Sequence, residues 1–224
     1  MCSTFKFLAA AFVLARVDRG EESLSRKIAY EQRDLVDYSP VTEPHTGTGG
    51  MTMGELCEAA VTLSDNAAAN LMLASFGGPA GLTAFVRTLG DTVTRLDRIE
   101  PELNEAAPGD PRDTTSPNAM LGTMQRLLTS NVLKPDSRAL LINWLKGCKT
   151  GDARLRAGLP EGWVVGDKTG TGDHGTANDI AIAWLPGHAP ILIAAYYTES
   201  KSQQATRDYV LAETARIVMR AVEV

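Results

Sequence analysis

Hydrophobic residues fill almost every position from 5 to 15, and this run contains a single charged residue, Lys6. Apolar side chains recur at helical spacing on one side of the segment and also fill the other side, which predicts a helix buried all round. The run is too short to span a bilayer. A lysine followed by apolar residues is also typical of the start of a signal peptide, so the pattern alone leaves both interpretations open.

Shorter periodic segments follow, separated by Gly, Pro and Asp residues, and they predict a series of helices over the first two thirds of the chain. Thr52 and Glu55 form a capping box before one of them. Ser116 and Pro117 mark the start of another, because proline suits the first turn of a helix. The other segments with helical periodicity are 66–76, 79–89 and 140–145.

The segment from Arg95 to Asp113 is different, since it is polar, contains proline and has no periodicity. In compact domains an irregular length of this kind is usually either functional or disordered. We therefore expect it to contribute to a functional site.

From about Gly162 the pattern changes to one typical of strands, followed by a last helix. Helices, then three strands, then a helix predict an α+β fold, in which an all-helical domain lies beside an antiparallel sheet with a helix on one face. The expected strands are 163–171, 178–185 and 190–197, with Pro186 and Gly187 between the second and third, and the last helix is expected near 203–222.

Composition narrows the class of protein. The 224 residues are 44% hydrophobic and 22% charged, as in a globular protein. The net charge of −5, without any basic run, argues against a nucleic-acid partner. The three histidines are scattered singly, so we expect neither a metal site nor another cofactor. The three cysteines lie far apart with no C-x-x-C pair, which allows at most one disulfide.

Ser3 and Lys6 stand three positions apart at the start of the buried helix, so both side chains share one face. At that end the backbone N–H groups and the helix dipole favour negative charge, which suits an activated nucleophile. A lysine in a nearly dry site has its ammonium form disfavoured and can accept the serine proton. One S-x-x-K spacing is also expected by chance in a chain of this size, so the pair alone is not decisive.

Two further motifs each allow a structural and a functional interpretation. The S-D-N motif at 64–66 stands just before a predicted helix, where simple capping accounts for it. The K-T-G motif at 168–170 is either an ordinary strand end with an exposed lysine or an edge that holds a substrate carboxylate. Strand alternation puts Lys168 on the face opposite Thr169 and Thr171, so its stem would have to reach towards the helical domain.

Together and in this order, S-x-x-K, S-D-N and K-T-G resemble the motifs shared by class A serine β-lactamases and penicillin-binding proteins. The stretch from Arg98 to Asn104, inside the irregular segment, resembles the omega loop of class A. The resemblance extends over essentially the whole chain. It implies the β-lactamase/D,D-peptidase fold and the hydrolysis of β-lactam antibiotics through a serine acyl-enzyme, which gives antibiotic resistance.

The resemblance implies roles in acylation for four residues. Ser3 is the nucleophile, Lys6 is its proton partner, and Ser64 passes a proton to the leaving β-lactam nitrogen. Backbone N–H groups of Ser3 and Thr171 make the oxyanion hole. Whether Lys6 or Glu100 is the base in acylation is disputed for the family.

It also implies which residues hold the substrate and the hydrolytic water. Glu100, with Asn104, positions and deprotonates the water that hydrolyses the acyl-enzyme. Asn66 holds the side-chain amide of the substrate. Lys168 and Thr169 bind the carboxylate of the drug.

Three further residues resemble known parts of the family's site. Tyr38 would form one wall of it. Arg98 and Asp113 resemble the ion pair that closes the omega loop. The alternative for this pair is two solvated loop charges, worth under about 1 kcal/mol.

The sequence departs from the family at several positions. Many members carry an arginine at the position of Ala177, and Arg154 matches the place from which other members supply that guanidinium; an exposed arginine at a helix end is the alternative. Cys2 resembles the cysteine that some carbapenemases bridge to one just after the K-T-G motif, but Gly172 stands there. We therefore expect no bridge, and free buried thiols at Cys2 and Cys57.

In the family a signal peptide, a helix and two strands precede the nucleophile, whereas this sequence begins two residues before Ser3. We therefore expect a sheet that is incomplete because these N-terminal strands are missing, with an exposed edge and reduced stability. The predicted division is an all-helical domain at 1–148, which includes the omega loop at 95–113, and an α/β domain at 149–224 with three strands and the last helix.

Glu100 and Asn104 favour a β-lactamase over its enzyme alternative, a penicillin-binding D,D-peptidase, which typically lacks this pair and deacylates slowly. A truncated remnant without turnover is the other alternative. Ser3 and Lys6 also favour a buried helix over a signal or membrane segment at the start of the chain. We expect a monomer with a small-molecule β-lactam as substrate, no nucleic acid and no membrane span, periplasmic or secreted by family resemblance although no export signal is visible.

Overall fold

The computed structural model describes residues 1–185 and 187–222, so Pro186, expected between the second and third strands, lies outside the described residues. The apolar run forms helix α1 (Phe5–Asp18), preceded by a 3-10 turn at Cys2–Thr4. Every side chain from the start of α1 to Ala15 is buried except that of Phe12, which is partly exposed. The prediction of a helix buried all round is confirmed.

Two elements were too short for a sequence pattern to show. Strands β1 (Lys27–Ile28) and β2 (Met51–Thr52) pair antiparallel between α1 and the next helix. Two residues cannot display a periodicity, so neither strand was predicted.

Five longer helices follow, and four of them pack against α1. The predicted capping box is confirmed, because Thr52 Oγ1 accepts from Glu55 N while the Glu55 carboxylate accepts from Thr52 N. Ser116 caps its helix as predicted. No single helix of the described residues is long and apolar enough to cross a bilayer. The second and third of these five helices, which are bent relative to each other, pass the same test of length and composition only when they are taken together. The helices are α2 (Met53–Thr62), α3 (Asn66–Ala74), α4 (Gly78–Thr88), α5 (Pro117–Thr129) and α6 (Pro135–Lys146).

After the one-turn helix α7 (Leu155–Gly158), the described residues form an antiparallel sheet in the order β3 (Val164–Gly172), β4 (Thr176–Trp184), β5 (Ile191–Tyr197), and α8 (Gln204–Val222) packs on it. Alternate side chains of β4 pack into two different apolar clusters, one on each face of the sheet. Its isoleucines face the cluster around α1, whereas its alanines face the cluster that includes α8. The α+β fold is confirmed, while the division at residue 148 remains a prediction.

Strand β3 carries the K-T-G motif with its side chains on alternate faces. Lys168 pairs with Ile180, whose side chain lies in the cluster around α1, and Thr169 pairs with Asp179. Lys168 is fully buried, so its long stem reaches towards the helices as expected and the exposed-lysine alternative is wrong.

The irregular segment from 95 to 113 contains one regular element, a 3-10 turn at Glu102–Asn104. Its two ends are joined at Asp113, whose side chain is buried. Arg98 Nε donates to Asp113 Oδ2 at 2.6 Å, and the backbone N–H groups of Asp97 and Arg98 donate to Asp113 Oδ1. The predicted ion pair is confirmed, and the solvated-charge alternative is wrong for Asp113.

The three cysteines all lie within the described residues. Cys2, Cys57 and Cys148 are buried and free. Burial raises the pKa of each thiol, so none is a ready thiolate. The expectation of free buried thiols at Cys2 and Cys57 is confirmed.

Candidate active site

Ser3 lies in the turn that leads into α1, where strained backbone surrounds one cavity. Cys2, Tyr38 and Ser64 have φ values of 49°, 62° and 60°, a region that non-glycine residues rarely adopt and that clusters at functional sites. Gly170 of β3 approaches the turn so closely that a Cβ there would lie 2.9 Å from Met1 O and 3.2 Å from Ser3 N. Glycine is required at 170 because the strand backbone meets the serine turn directly.

Lys6, one helical turn beyond Ser3, is fully buried, and all the N–H groups of its ammonium group have partners. It donates to Ser64 O at 2.8 Å, to Asn66 Oδ1 at 2.5 Å and to Glu100 Oε1 at 2.9 Å. Burial lowers the pKa of Lys6, and the adjacent Glu100 carboxylate opposes that shift. Lys6 therefore links the helix that carries Ser3 to both the S-D-N motif and the omega loop.

The Ser3 hydroxyl has a different partner from the one that the S-x-x-K spacing suggested. Ser3 Oγ donates to Glu100 Oε1 at 3.0 Å, the same oxygen that Lys6 Nζ contacts. Within the described residues no hydrogen bond joins Ser3 Oγ to Lys6 Nζ. Within the described contacts, the serine and the lysine are therefore connected through the carboxylate of Glu100.

Glu100 is fixed by a residue that sequence reasoning missed. Asn70, on α3, accepts from Glu100 N and donates to Glu100 O, both at 2.9 Å. Asn104 Nδ2 donates to Glu100 Oε2, and Asn104 Oδ1 is buried without a partner. Nothing in the local pattern of α3 marks Asn70, because its role depends on a contact with a loop 30 residues away.

Ser64 lies between two buried lysines. Lys6 Nζ and Lys168 Nζ approach Ser64 Oγ to 3.3 and 3.0 Å. Burial lowers the pKa of Lys168 to about 8, and the positive charge of Lys6 acts in the same direction. The hydroxyl of Ser64 can therefore pass a proton between a lysine and a group in the cavity.

The cavity has a volume of about 330 Å³ and brings the predicted site residues together. Eight of the eleven predicted catalytic and substrate-binding residues line the cavity. The other three, Lys6, Glu100 and Lys168, lie directly behind it, and each is hydrogen-bonded to a lining residue. A larger groove of about 780 Å³, between the segment 89–93 and α5, holds none of them. The predicted lining residues are Ser3, Tyr38, Ser64, Asn66, Asn104, Arg154, Thr169 and Thr171.

Thr150 also lines the cavity, and it was not predicted. Its hydroxyl lies 2.6 Å from that of Thr169, so the two threonines present adjacent hydroxyl groups. The only sequence signal was its position four residues before Arg154, which is too weak to assign a role.

Arg154 is buried, so the alternative of an exposed arginine at a helix end is wrong. Its guanidinium donates to two backbone carbonyls of the sheet, Gly170 O at 3.0 Å and Asn178 O at 2.8 Å, and to Thr171 Oγ1 at 2.6 Å. Its Nε donates to Asp208 Oδ1 on α8 at 2.8 Å. A cation thus lies beside the hydroxyl groups of the cavity, an arrangement suited to an anionic substrate group.

Comparisons with known proteins agree with this chemistry. A family model described as "Beta-lactamase enzyme family" matches residues 1–222. β-Lactamase CTX-M-8 of Citrobacter amalonaticus is 50% identical over 218 residues, which are 97% of this chain and 75% of that protein. β-Lactamase Toho-1 of Escherichia coli is 49% identical over 218 residues, which are again 97% of this chain and 75% of that protein. The structure of an ancestral (GNCA) class A β-lactamase is 65% identical, with a TM-score of 0.97 over 99% of this chain and 85% of that one.

Proposed function

Since this chain belongs to the class A serine β-lactamases and its activity is the hydrolysis of β-lactam antibiotics, which gives resistance, we propose that Ser3 is the nucleophile of that reaction. The observation that carries this assignment is the shared contact of Ser3 Oγ and Lys6 Nζ with Glu100 Oε1, at 3.0 and 2.9 Å. A hydroxyl, a buried amine and a carboxylate in contact form a set that can activate a serine.

In acylation, Ser3 Oγ attacks the carbonyl carbon of the β-lactam ring while its proton passes to the pair formed by Glu100 and Lys6. Backbone N–H groups of Ser3 and Thr171 stabilise the negative charge that develops on the carbonyl oxygen. As the ring C–N bond breaks, Ser64 Oγ gives its proton to the nitrogen and is reprotonated by a neighbouring lysine. The result is an ester on Ser3 with the ring opened.

In deacylation, Glu100 removes a proton from a water molecule that attacks the ester carbon, and Ser3 leaves with that proton. Asn104 is held against Glu100 and has a buried, unpartnered Oδ1, which supports a role in orienting the water. Asn70 keeps the backbone of Glu100 in place during both steps.

Substrate recognition is assigned to the other side of the cavity. Lys168, Thr169 and Arg154 bind the carboxylate of the drug. Thr169 and Arg154 line the cavity, and Lys168 lies directly behind it with its ammonium group on Ser64 Oγ. Asn66 holds the side-chain amide of the substrate. Tyr38, which is 57% exposed at the rim, forms one wall.

The enzyme alternative, a D,D-peptidase that is acylated by penicillin and recovers slowly, is disfavoured by Glu100 and Asn104. Their side chains contact each other, and Glu100 also contacts Ser3, so a base is available for the second step.

The first experiment is to mix the purified 224-residue chain with a chromogenic cephalosporin and follow colour and intact mass together. Continuous turnover is the expected result. A single mass increment without turnover would support a penicillin-binding remnant instead, and the absence of both signals would refute the proposed site in this chain.

The alkaline side of the pH profile is expected to report Lys168. Its pKa is lowered to about 8, so it is protonated below that pH and loses its positive charge as the pH rises through it. We expect kcat/KM for a carboxylate-bearing β-lactam to fall with a midpoint near that value. Lys168→Arg keeps a charge at all these pH values, and its profile should lack the alkaline decrease even if its activity is lower overall. An unchanged decrease in this variant would exclude Lys168 as its source.

We further propose that the protein is a monomer and is periplasmic or secreted. The class A relatives, which are typically periplasmic or secreted, support this location. Cell fractionation tests the location. Light scattering, which gives the molar mass in solution, tests the monomeric state.

A further inference from the structure

The hydroxyl of Thr169 is the last member of a chain of hydrogen-bonding groups that begins behind the cavity. Thr150 Oγ1 lies 2.6 Å from Thr169 Oγ1, and Cys148 Sγ lies 3.4 Å from Thr150 Oγ1. Both threonines line the cavity, whereas Cys148 is buried behind them, in the segment between α6 and α7. The chain therefore leads from a thiol in the interior to the hydroxyl that is assigned to the substrate carboxylate.

Each of the three groups carries one hydrogen, so the direction in which the chain donates decides what Thr169 offers to a ligand. If Thr150 donates to Thr169, the hydrogen of Thr169 is free to point at a carboxylate in the cavity. If Thr169 donates to Thr150 instead, its oxygen presents only lone pairs to the cavity, and these repel an anion. A contact of 2.6 Å between two oxygens holds one hydrogen, so the two directions exclude each other.

The properties of the thiol favour the first direction. Burial, together with the negative charge of Asp167, raises the pKa of Cys148, so the thiol keeps its hydrogen and can donate it. Its hydrogen-bond partner within the described residues is Thr150 Oγ1, while Asp167 accepts from the guanidinium of Arg156. Sulfur is a weak acceptor, so the hydrogen of Thr150 is held by the nearer oxygen of Thr169.

We propose that Cys148 and Thr150 are positioning residues that fix the direction of the Thr169 hydroxyl. Cys148 donates to Thr150, Thr150 donates to Thr169, and Thr169 donates to the substrate carboxylate. The inference rests on the proposed binding of that carboxylate at Thr169. Cys148 acts through Thr150, since it does not itself line the cavity. Hydrogen bonds in such a chain polarise one another, so each donor strengthens the next.

Cys148→Ala tests the direction, because it removes the donor to Thr150 and makes the two directions comparable. When only about half of the molecules hold Thr169 in the donating direction, the apparent affinity for the carboxylate falls by that fraction, and the lost polarisation adds to the effect. We expect KM for benzylpenicillin and for a cephalosporin with a free C4 carboxylate to rise by about twofold to fourfold. The value of kcat should change by less than about twofold, because the interaction is made before the chemical steps.

The sign of the change is decisive. A lower KM in Cys148→Ala would mean that the thiol draws the hydrogen of Thr150 away from Thr169, and it would overturn the proposal, as would an unchanged KM. Cys148→Ser should restore the native KM, since its hydroxyl can also donate to Thr150. If Cys148→Ser were as impaired as Cys148→Ala, the shape of the thiol and not its hydrogen would matter, which contradicts the proposed chain.

Two controls distinguish this role from a loss of packing. The C4 methyl ester of the same cephalosporin carries no charge there, so its KM should be equal for the native chain and Cys148→Ala. Cys57→Ala removes another buried free thiol, on α2, and should leave both values of KM unchanged. A shift shared by the acid and the ester would show a structural effect and refute the positioning role.

A double-mutant cycle shows whether Cys148 acts through Thr150. Thr150→Val removes the hydroxyl between the thiol and Thr169, so adding Cys148→Ala to it should cause no further change in KM. An effect of equal size in both backgrounds would exclude the chain. The same cycle is measured as dissociation constants by calorimetry in a Ser3→Ala background, where the intact drug binds without reacting. A native chain that turns over no β-lactam would instead refute the proposed function, and this binding comparison would still be readable.

Discussion

Glu100→Gln is expected to leave a protein that reacts once with a penicillin and then stops. Glutamine keeps an oxygen that can accept from Ser3 and Lys6, and Lys6 remains as the member of the pair that can take the serine proton, so the drug can still reach and acylate the serine. It has no basic carboxylate to remove a proton from water, so the ester on Ser3 persists. General-base catalysis contributes about 10²- to 10⁴-fold, and we expect deacylation to slow by this factor.

Intact mass spectrometry checks this result, since the variant should carry one stoichiometric increment equal to the mass of the drug. The local structure accommodates the change, because Asn104 Oδ1 has no partner and can accept from the new amide after a flip of the Asn104 side chain. Glu102→Gln is the matched control, an exposed carboxylate two residues away, and it should turn over normally. Unchanged turnover in Glu100→Gln would remove Glu100 from deacylation.

Ser3→Ala is expected to abolish covalent chemistry altogether. The loss of a nucleophile that acts as part of a unit lowers kcat by about 10⁴-fold or more, since the neighbouring base and proton donor have nothing left to activate. No mass increment should form at any time, in contrast to Glu100→Gln. Ser23→Ala, which removes an exposed hydroxyl from a loop, serves as the control and should behave like the native chain. An adduct on Ser3→Ala would mean that another residue is the nucleophile.

The elements that the sequence predicted are those long enough to repeat a pattern. The apolar run of α1, the capping box of α2 and the alternation along β3 each extend over several residues, and each corresponds to an observed element within a few positions. β1, β2 and α7 are shorter than the period needed to recognise them. The motifs predicted which residues would meet, and the cavity brings those residues together.

What the sequence did not predict are contacts between distant segments. The local spacing of Ser3 and Lys6 suggested a direct pair, but Glu100, 97 positions from Ser3, lies between them. Asp208 is 54 positions from Arg154, on a helix whose pattern indicates only packing against the sheet. Such contacts depend on how the elements pack, which a single sequence does not reveal.

The two hydrogen bonds of Asn70 with the backbone of Glu100 have a mechanical consequence. They attach one part of the omega loop to α3, while the stretch from 105 to 112 has mostly exposed or half-buried side chains and no helix or strand. Residues 105–112 are held instead by ion pairs, through Arg98 with Glu105 and through Arg112 with Asp110. The backbone of Glu100 is therefore anchored by α3 and not by the exposed part of the loop, so the place of the carboxylate that we assign to water activation is set by a helix of the all-helical region.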